Sequence, residues 1–252
     1  MNSGRFENLQ FEPPFIHEEQ GTKSLHFTFG ELQSRMRINS PWHLEVDYTR
    51  TMMGFLLFNN CPANILMIGL GGGSLAKFCY RQLAQTHITV AEINPHVIAL
   101  RDDFQVPPDD ARFEVMACDG ALWVHDSVAP TDVLMVDGFD TSGQPAQLCS
   151  QAFYDDCFQA LSPQGMLVAN LHYDHASYGL LTDRISRSFN GAMLEAVAAE
   201  KSNGIIFAFK DPSMVARVKN LKDSLEPLDA QARMQLRPEF GRILWQMKNP
   251  DL

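Results

Sequence analysis

Asn64-Ile-Leu-Met-Ile-Gly-Leu-Gly-Gly-Gly-Ser74 is an apolar run that ends in glycines. The run does not alternate, so it reads as a strand buried on both faces, as strands of a parallel sheet are. Glycines at its end let the chain turn tightly and let a ligand approach the backbone. Ser74–Leu83 reads as a helix and Ile88–Ile93 as a second strand. Pro95–Phe104 is a second helix with Asn94 as its cap. Phe113–Ala117 and Asp132–Val136 are strands three and four, and Phe153–Leu161 is helical. Pro163-Gln-Gly165 is a turn, and Met166–Asn170 is strand five. Strands alternating with helices predict an α/β fold built on a doubly wound parallel sheet, with ligands at the carboxyl ends of the strands.

On the amino-terminal side the rhythm is shorter. Ser24–Phe29 alternates polar and apolar, Gly30 breaks the pattern, and Arg35–Ile38 alternates again. Two or three strands cannot hold a core alone. Residues 1–45 are therefore expected to form a small N-terminal β appendage packed on a sheet domain of residues 46–252. Residues 46–60 suit a helix with one face buried. Beyond the fifth strand, Leu180–Phe189 reads as a helix and Gly204–Phe209 as a strand. A charged, Met/Leu-spaced tail runs from Pro212 through Arg242–Met247.

Composition narrows the partners. The 252 residues are 45% hydrophobic and carry 20 Lys+Arg against 30 Asp+Glu, a net charge of −10. That balance argues against a nucleic-acid duplex and for a cationic ligand. The longest apolar runs, Met52–Phe58 and Ile65–Leu70, fall far short of the ~18–20 residues of a membrane span. Met1–Pro14 is polar and proline-bearing, unlike a signal peptide. Five cysteines with no Cys-x-x-Cys fit reduced thiols in a cytoplasmic protein.

The chemistry is expected at the strand ends. A glycine loop such as Gly69, Gly71, Gly72 and Gly73 is by itself as much a turn as a nucleotide cradle. Glu92, which ends strand two, is placed to accept hydrogen bonds from both hydroxyls of a ribose. Asp119-Gly120 after strand three is a turn-forming pair, and its carboxylate also suits the exocyclic amine of a purine. The loop lacks the third glycine of the dinucleotide fingerprint, because Ser74 stands there. An adenosine cradle without a pyrophosphate partner fits an S-adenosyl sulfonium compound better than NAD. After strand four, Asp137 and Asp140 stand at i and i+3 where a second substrate meets the cofactor's reactive carbon. A carboxylate there can hold a protonated amine and take its proton as general base. His172, after strand five, is placed to line the amine pocket, as is Asn170. His172, Asp174 and His175 lack a distant partner ligand, so no metal is expected.

These stretches resemble the spermidine/spermine synthase (polyamine aminopropyltransferase) family over roughly Glu45–Asn170. The resemblance is carried by Ile65–Leu75, Val90–Asn94, Ala117–Gly120 and Asp137-Gly-Phe-Asp140, with Gln144–Leu148 and Phe153-Tyr154 after them. It implies a Rossmann-like, S-adenosylmethionine-dependent type of transferase fold, a small N-terminal β-domain and a homodimer. It also implies aminopropyl transfer from decarboxylated S-adenosylmethionine to a di- or polyamine, with methylthioadenosine released. Glu92 would then hold the ribose, Asp119 the adenine and Asp140 the amine. Asp137 would be the base, and Tyr48 would line the substrate pocket. The family's loop is typically G-G-G-D-G-G, and Gly72 stands at the place of its Asp. A missing carboxylate suits intact S-adenosylmethionine, so an amine methyltransferase is the alternative, with a non-catalytic adenosyl-binding scaffold as a third reading.

Overall fold

A computed structural model of the chain describes residues 11–28, 32–127, 129–140 and 143–249. It opens with an antiparallel meander of β1 (Phe15–Glu19), β2 (Thr22–His26) and β3 (Leu32–Arg37). Gln20 and Gly21 both take positive φ, which closes the β1–β2 hairpin in two residues. Leu25 and Met36 are each 1% exposed and belong to the larger domain's apolar cluster, so this small sheet is packed on it. Phe29 and Gly30, part of the expected alternation, lie outside the described residues.

The main sheet has seven strands in the order β6-β5-β4-β7-β8-β10-β9. They are β4 (Asn64–Ile68), β5 (His87–Glu92), β6 (Phe113–Ala117), β7 (Thr131–Val136), β8 (Leu161–His172), β9 (Met193–Val197) and β10 (Asn203–Phe209). The chain winds outward from β4 through β5 to β6, then returns to place β7 on the other side of β4. This reversal makes the β4–β7 crevice the expected ligand position. β10 runs antiparallel to both β8 and β9, so the sheet is not wholly parallel. Period-two alternation splits each apolar strand between two cores. Ile65, Met67, Val133, Met135 and Phe207 face one cluster, while Leu66, Ile68, Leu134, Val136 and Ile206 face the other.

Helices α2 (Ser74–Gln82), α3 (Pro95–Ala99), α4 (Gly120–Asp126), α5 (Gln151–Ala160) and α6 (Tyr178–Ser188) connect the strands. Residues 46–60 differ from the one-faced helix expected of them. α1 (Asp47–Met52) passes into a 3-10 turn, Met53–Leu57, whose residues are all buried. The cause is a layer on each side, since α8 (Ala230–Lys248) covers the turn with Leu236, Phe240 and Ile243. A short α7 (Leu221–Leu225) precedes α8. The expected helix Pro95–Phe104 stops at Ala99, and Asn94 caps it by accepting from the His96 N–H at 2.9 Å. Pro163–Gly165 is not a free turn but a register shift inside β8. No helix among the described residues is long and apolar enough to cross a membrane.

A lysine is fully buried in this framework. The ammonium of Lys77 in α2 donates to the Phe104 carbonyl (2.7 Å) and approaches the Met36 sulfur (3.1 Å). Burial lowers its pKa from 10.5 to about 7. Between those values the unfolded chain holds a proton that the folded chain has shed, so stability rises with pH across that window. The expected slope is at most about 1.4 kcal/mol per pH unit. Urea unfolding of wild type and Lys77→Met from pH 6 to 10 tests this. The variant's stability relative to wild type should be greatest near pH 7 and below, then decline as pH rises. A difference independent of pH would show that Lys77 is protonated throughout.

Candidate active site

Strand register brings the chemistry into one row. Ile68 pairs with Ala91 and with Val136, and Val136 pairs with Ala169. The next residues along, Gly69, Glu92, Asp137 and Asn170, therefore lie side by side at the carboxyl edge. Gly69 has φ +97°, and a Cβ there would stand 2.2 Å from the Asp137 carbonyl oxygen, so only glycine fits between β4 and β7. A cavity of about 640 Å³ opens above this row. Gly69, Gly71, Glu92, Asp119, Gly120, Asp137, Asp140 and Tyr48, all singled out in the sequence, line it.

Glu92 is buried, and both of its oxygens are engaged. One accepts from the Leu70 N–H and the other from the Asn94 N–H, each at 2.8 Å. Burial raises its pKa, while these backbone donors pull it back toward the ionised form. Glu92 thus ties the glycine loop to the end of β5 while lining the cavity. Asp119 caps α4 by accepting from the Ala121 N–H at 2.8 Å. Its turn-forming and cavity-lining readings therefore hold together.

Asp137 is held from both sides by side chains. Tyr48 donates its hydroxyl to Oδ2 at 3.1 Å, and the Asn170 amide donates to Oδ1 at 2.8 Å. Burial raises the Asp137 pKa against those two donors. The Tyr48 hydroxyl is pushed well above its usual range, first by burial and then by the Asp137 charge, so it stays a donor. Asp140 lies at the exposed rim, where its backbone pairs with Gly143 in both directions. A carboxylate held by two donors beside a cavity can take a proton from a bound ammonium, and a second at the rim can hold a cation.

Other predicted residues lie elsewhere. Gly72 is packed under β3 and does not line the cavity: a Cβ there would meet Ser34 Oγ at 2.6 Å and Phe104 at 2.8 Å. Gly73 precedes α2 at φ +67° and packs on Val106. His172 stacks on Phe139 (centroids 4.4 Å apart), and it is Phe139 that lines the cavity. Asn170 sits behind Asp137 and not on the pocket wall. Sequence analysis did not single out Gln33 and Ser34 of β3, or Phe11 and Glu12, as lining residues. No short motif marks them, because they reach the cavity only through the packing of the small sheet. The Ser34 and Ser74 hydroxyls stand 3.3 Å apart, and the Glu12 carbonyl accepts from Asn94 at 3.1 Å. Among the described residues no cluster of His, Cys, Asp or Glu could hold a metal ion.

Strand order, glycine loop and cavity together define the class: a Rossmann-like, doubly wound sheet with a ligand cavity where the strand order reverses. Solved structures share that fold, including a spermidine synthase from Thermotoga maritima (TM-score 0.62, 18% identity, 92% of this chain and 89% of that chain). Human methyltransferase-like protein 13 in complex with SAH is similar to a comparable degree (TM-score 0.59, 20% identity, 79% and 93%). At such identities the likeness speaks for fold alone. The chain belongs to the spermine/spermidine synthase family, whose domain matches residues 45–198. A polyamine aminopropyltransferase of Chromobacterium violaceum is 36% identical over 234 residues, covering 92% of this chain and 88% of that protein.

Proposed function

We propose that this chain transfers the aminopropyl group of decarboxylated S-adenosylmethionine to a di- or polyamine and releases methylthioadenosine. The observation that carries the reading is the charge of the cavity wall. Glu12, Glu92, Asp119, Asp137 and Asp140 line it, with no Lys, Arg or His among the described lining residues. A decarboxylated donor carries a sulfonium and an ammonium, and the acceptor is also a cation, so each finds counter-charge there. Intact S-adenosylmethionine brings a carboxylate for which this wall offers no cationic side chain. In this reading Glu92 takes the ribose hydroxyls, Asp119 the adenine, and Asp140 with Tyr48 the acceptor amine. Asp137 accepts a proton from the acceptor's ammonium. The freed nitrogen lone pair attacks the propyl carbon bonded to sulfur, forming C–N as the C–S pair returns to sulfur. The sulfur leaves neutral and needs no acid. The homodimer implied by the resemblance and the cytoplasmic setting read from the cysteines belong to the same proposal, with a small cationic amine as partner.

Product analysis tests it. Purified protein is given each donor separately, S-adenosylmethionine or its decarboxylated form, with a panel of diamines and polyamines. Mass spectrometry should find methylthioadenosine and an amine heavier by one aminopropyl group, with the decarboxylated donor only. S-adenosylhomocysteine with a methylated amine would overturn the reading and place the chain among methyltransferases.

A further inference from the structure

We propose that Asn170 and Asn203 are positioning residues for the reaction. Through them the β9–β10 turn, outside the cavity wall, holds the Asp137 carboxylate in one orientation. This rests on Asp137 being the base. The Ser202 hydroxyl donates to Asn203 Oδ1 (2.7 Å), Asn203 Nδ2 donates to Asn170 Oδ1 (2.9 Å), and Asn170 Nδ2 donates to Asp137 Oδ1 (2.8 Å). Asn170 and Asn203 are 1% and 7% exposed, so their amides have little access to other partners.

The direction of this relay is fixed by what each group can give. An amide offers donors at one end and an acceptor at the other, while an ionised carboxylate only accepts. If Asn170 flipped, its oxygen would face the carboxylate and its NH₂ would face that of Asn203. With Asn170 so fixed, Asn203 must turn its NH₂ to it, which leaves the Asn203 Oδ1 to accept from Ser202. The same turn also steadies the other partner of Asp137. The Glu200 N–H donates to Asp47 Oδ2 and the Tyr48 N–H donates to Asp47 Oδ1, each at 2.7 Å, which anchors the start of α1. The groups about Asp137 are thus Tyr48 with Asp47 behind it from α1, neutral Asn170 from β8, and Asp140 on its own loop. Of these, Asn170 is the donor whose orientation the turn controls. The antiparallel pairing of β10 with β8, Ile205 opposite Asn170, makes this possible.

The test compares wild type with Asn203→Leu, which ends the relay, and Ser202→Ala, an exposed change that unlocks the Asn203 amide. Asn203→Leu should lower kcat about tenfold or more while KM for donor and amine stays within about twofold. The acidic limb of kcat/KM should move up, by as much as about one pH unit if the Asn170 bond to the carboxylate is lost outright. Ser202→Ala should move the limb in the same direction by less. A folded Asn203→Leu with wild-type kcat and pH profile would overturn the inference. Should that variant not fold, an unmoved profile in Ser202→Ala would overturn it equally. Asp137→Asn separates the two claims. If it is inactive while the relay variants behave as wild type, only the positioning role falls. If it is active, the base assignment falls first.

Discussion

Asp137→Asn should lose turnover by about 10²–10⁴-fold, the range for removing a general base, while binding the donor nearly as tightly as wild type. The substitution keeps the shape: the new amide oxygen can accept from Asn170 while its NH₂ donates to the Tyr48 hydroxyl oxygen. The proton acceptor alone is removed. Stability should move the other way. Burial raises the carboxyl pKa, so the folded state favours the protonated form and gives up stability as pH climbs through the folded value. Above the ordinary carboxylate range the buried Asp137 is therefore a cost that Asn does not carry, and the variant should melt at or above the wild-type temperature. Single-turnover kinetics and calorimetric donor binding check the two halves. Activity within about threefold of wild type would remove Asp137 from the chemistry.

Glu92→Ala should strike binding instead. It removes the ribose acceptor and also strands the Leu70 and Asn94 N–H groups, each costing about 1–3 kcal/mol if left unpaired. Relief of a buried charge offsets part of the stability loss, so the donor's Kd is expected to suffer more than the fold. A rise of about 10²–10³-fold is expected, or roughly 3–4 kcal/mol. Methylthioadenosine, which is uncharged, is the informative titrant, because any loss in its affinity cannot come from weaker attraction to a cation. Glu92→Gln, keeping one acceptor oxygen, should fall between. A folded Glu92→Ala that binds methylthioadenosine like wild type would separate this carboxylate from the ribose.

The main sheet was legible because its strands are buried on both sides. Ile65–Ile68 had to be continuous to feed two cores, and that continuity is visible in one dimension. The ends of such strands then located Gly69, Glu92, Asp119 and Asp137 without knowledge of their contacts. What failed depended on partners distant in sequence. The helix after Asn94 is shorter than its pattern because residues past Ala99 turn toward partners distant in sequence: the Phe104 carbonyl accepts from Lys77, and the Gln105 amide donates to the Ile38 carbonyl at 3.3 Å. The stretch after Tyr48 was read as one-faced because α8, far along the chain, supplies its second cover. His172 was placed by the strand-end rule alone, which cannot see Phe139 stacked on it. Asn170 was noticed, but its bond to Asp137 and its dependence on Asn203 follow from an antiparallel pairing that no local pattern announces.

The carboxylates around the cavity also act before any ligand touches them. With a net charge of −10 on the chain and no cationic side chain among the described lining residues, the mouth lies in a negative potential that draws in diamines and the doubly charged donor. Such steering reaches only about 8 Å at physiological ionic strength, so dissolved cations weaken it as they accumulate. The pace at which substrates are captured is then set partly by the surrounding electrolyte. The neutral nucleoside product feels no comparable pull, whereas an aminopropylated amine, with one more amino group than the acceptor, feels a stronger one, so the two products part from the mouth on different terms.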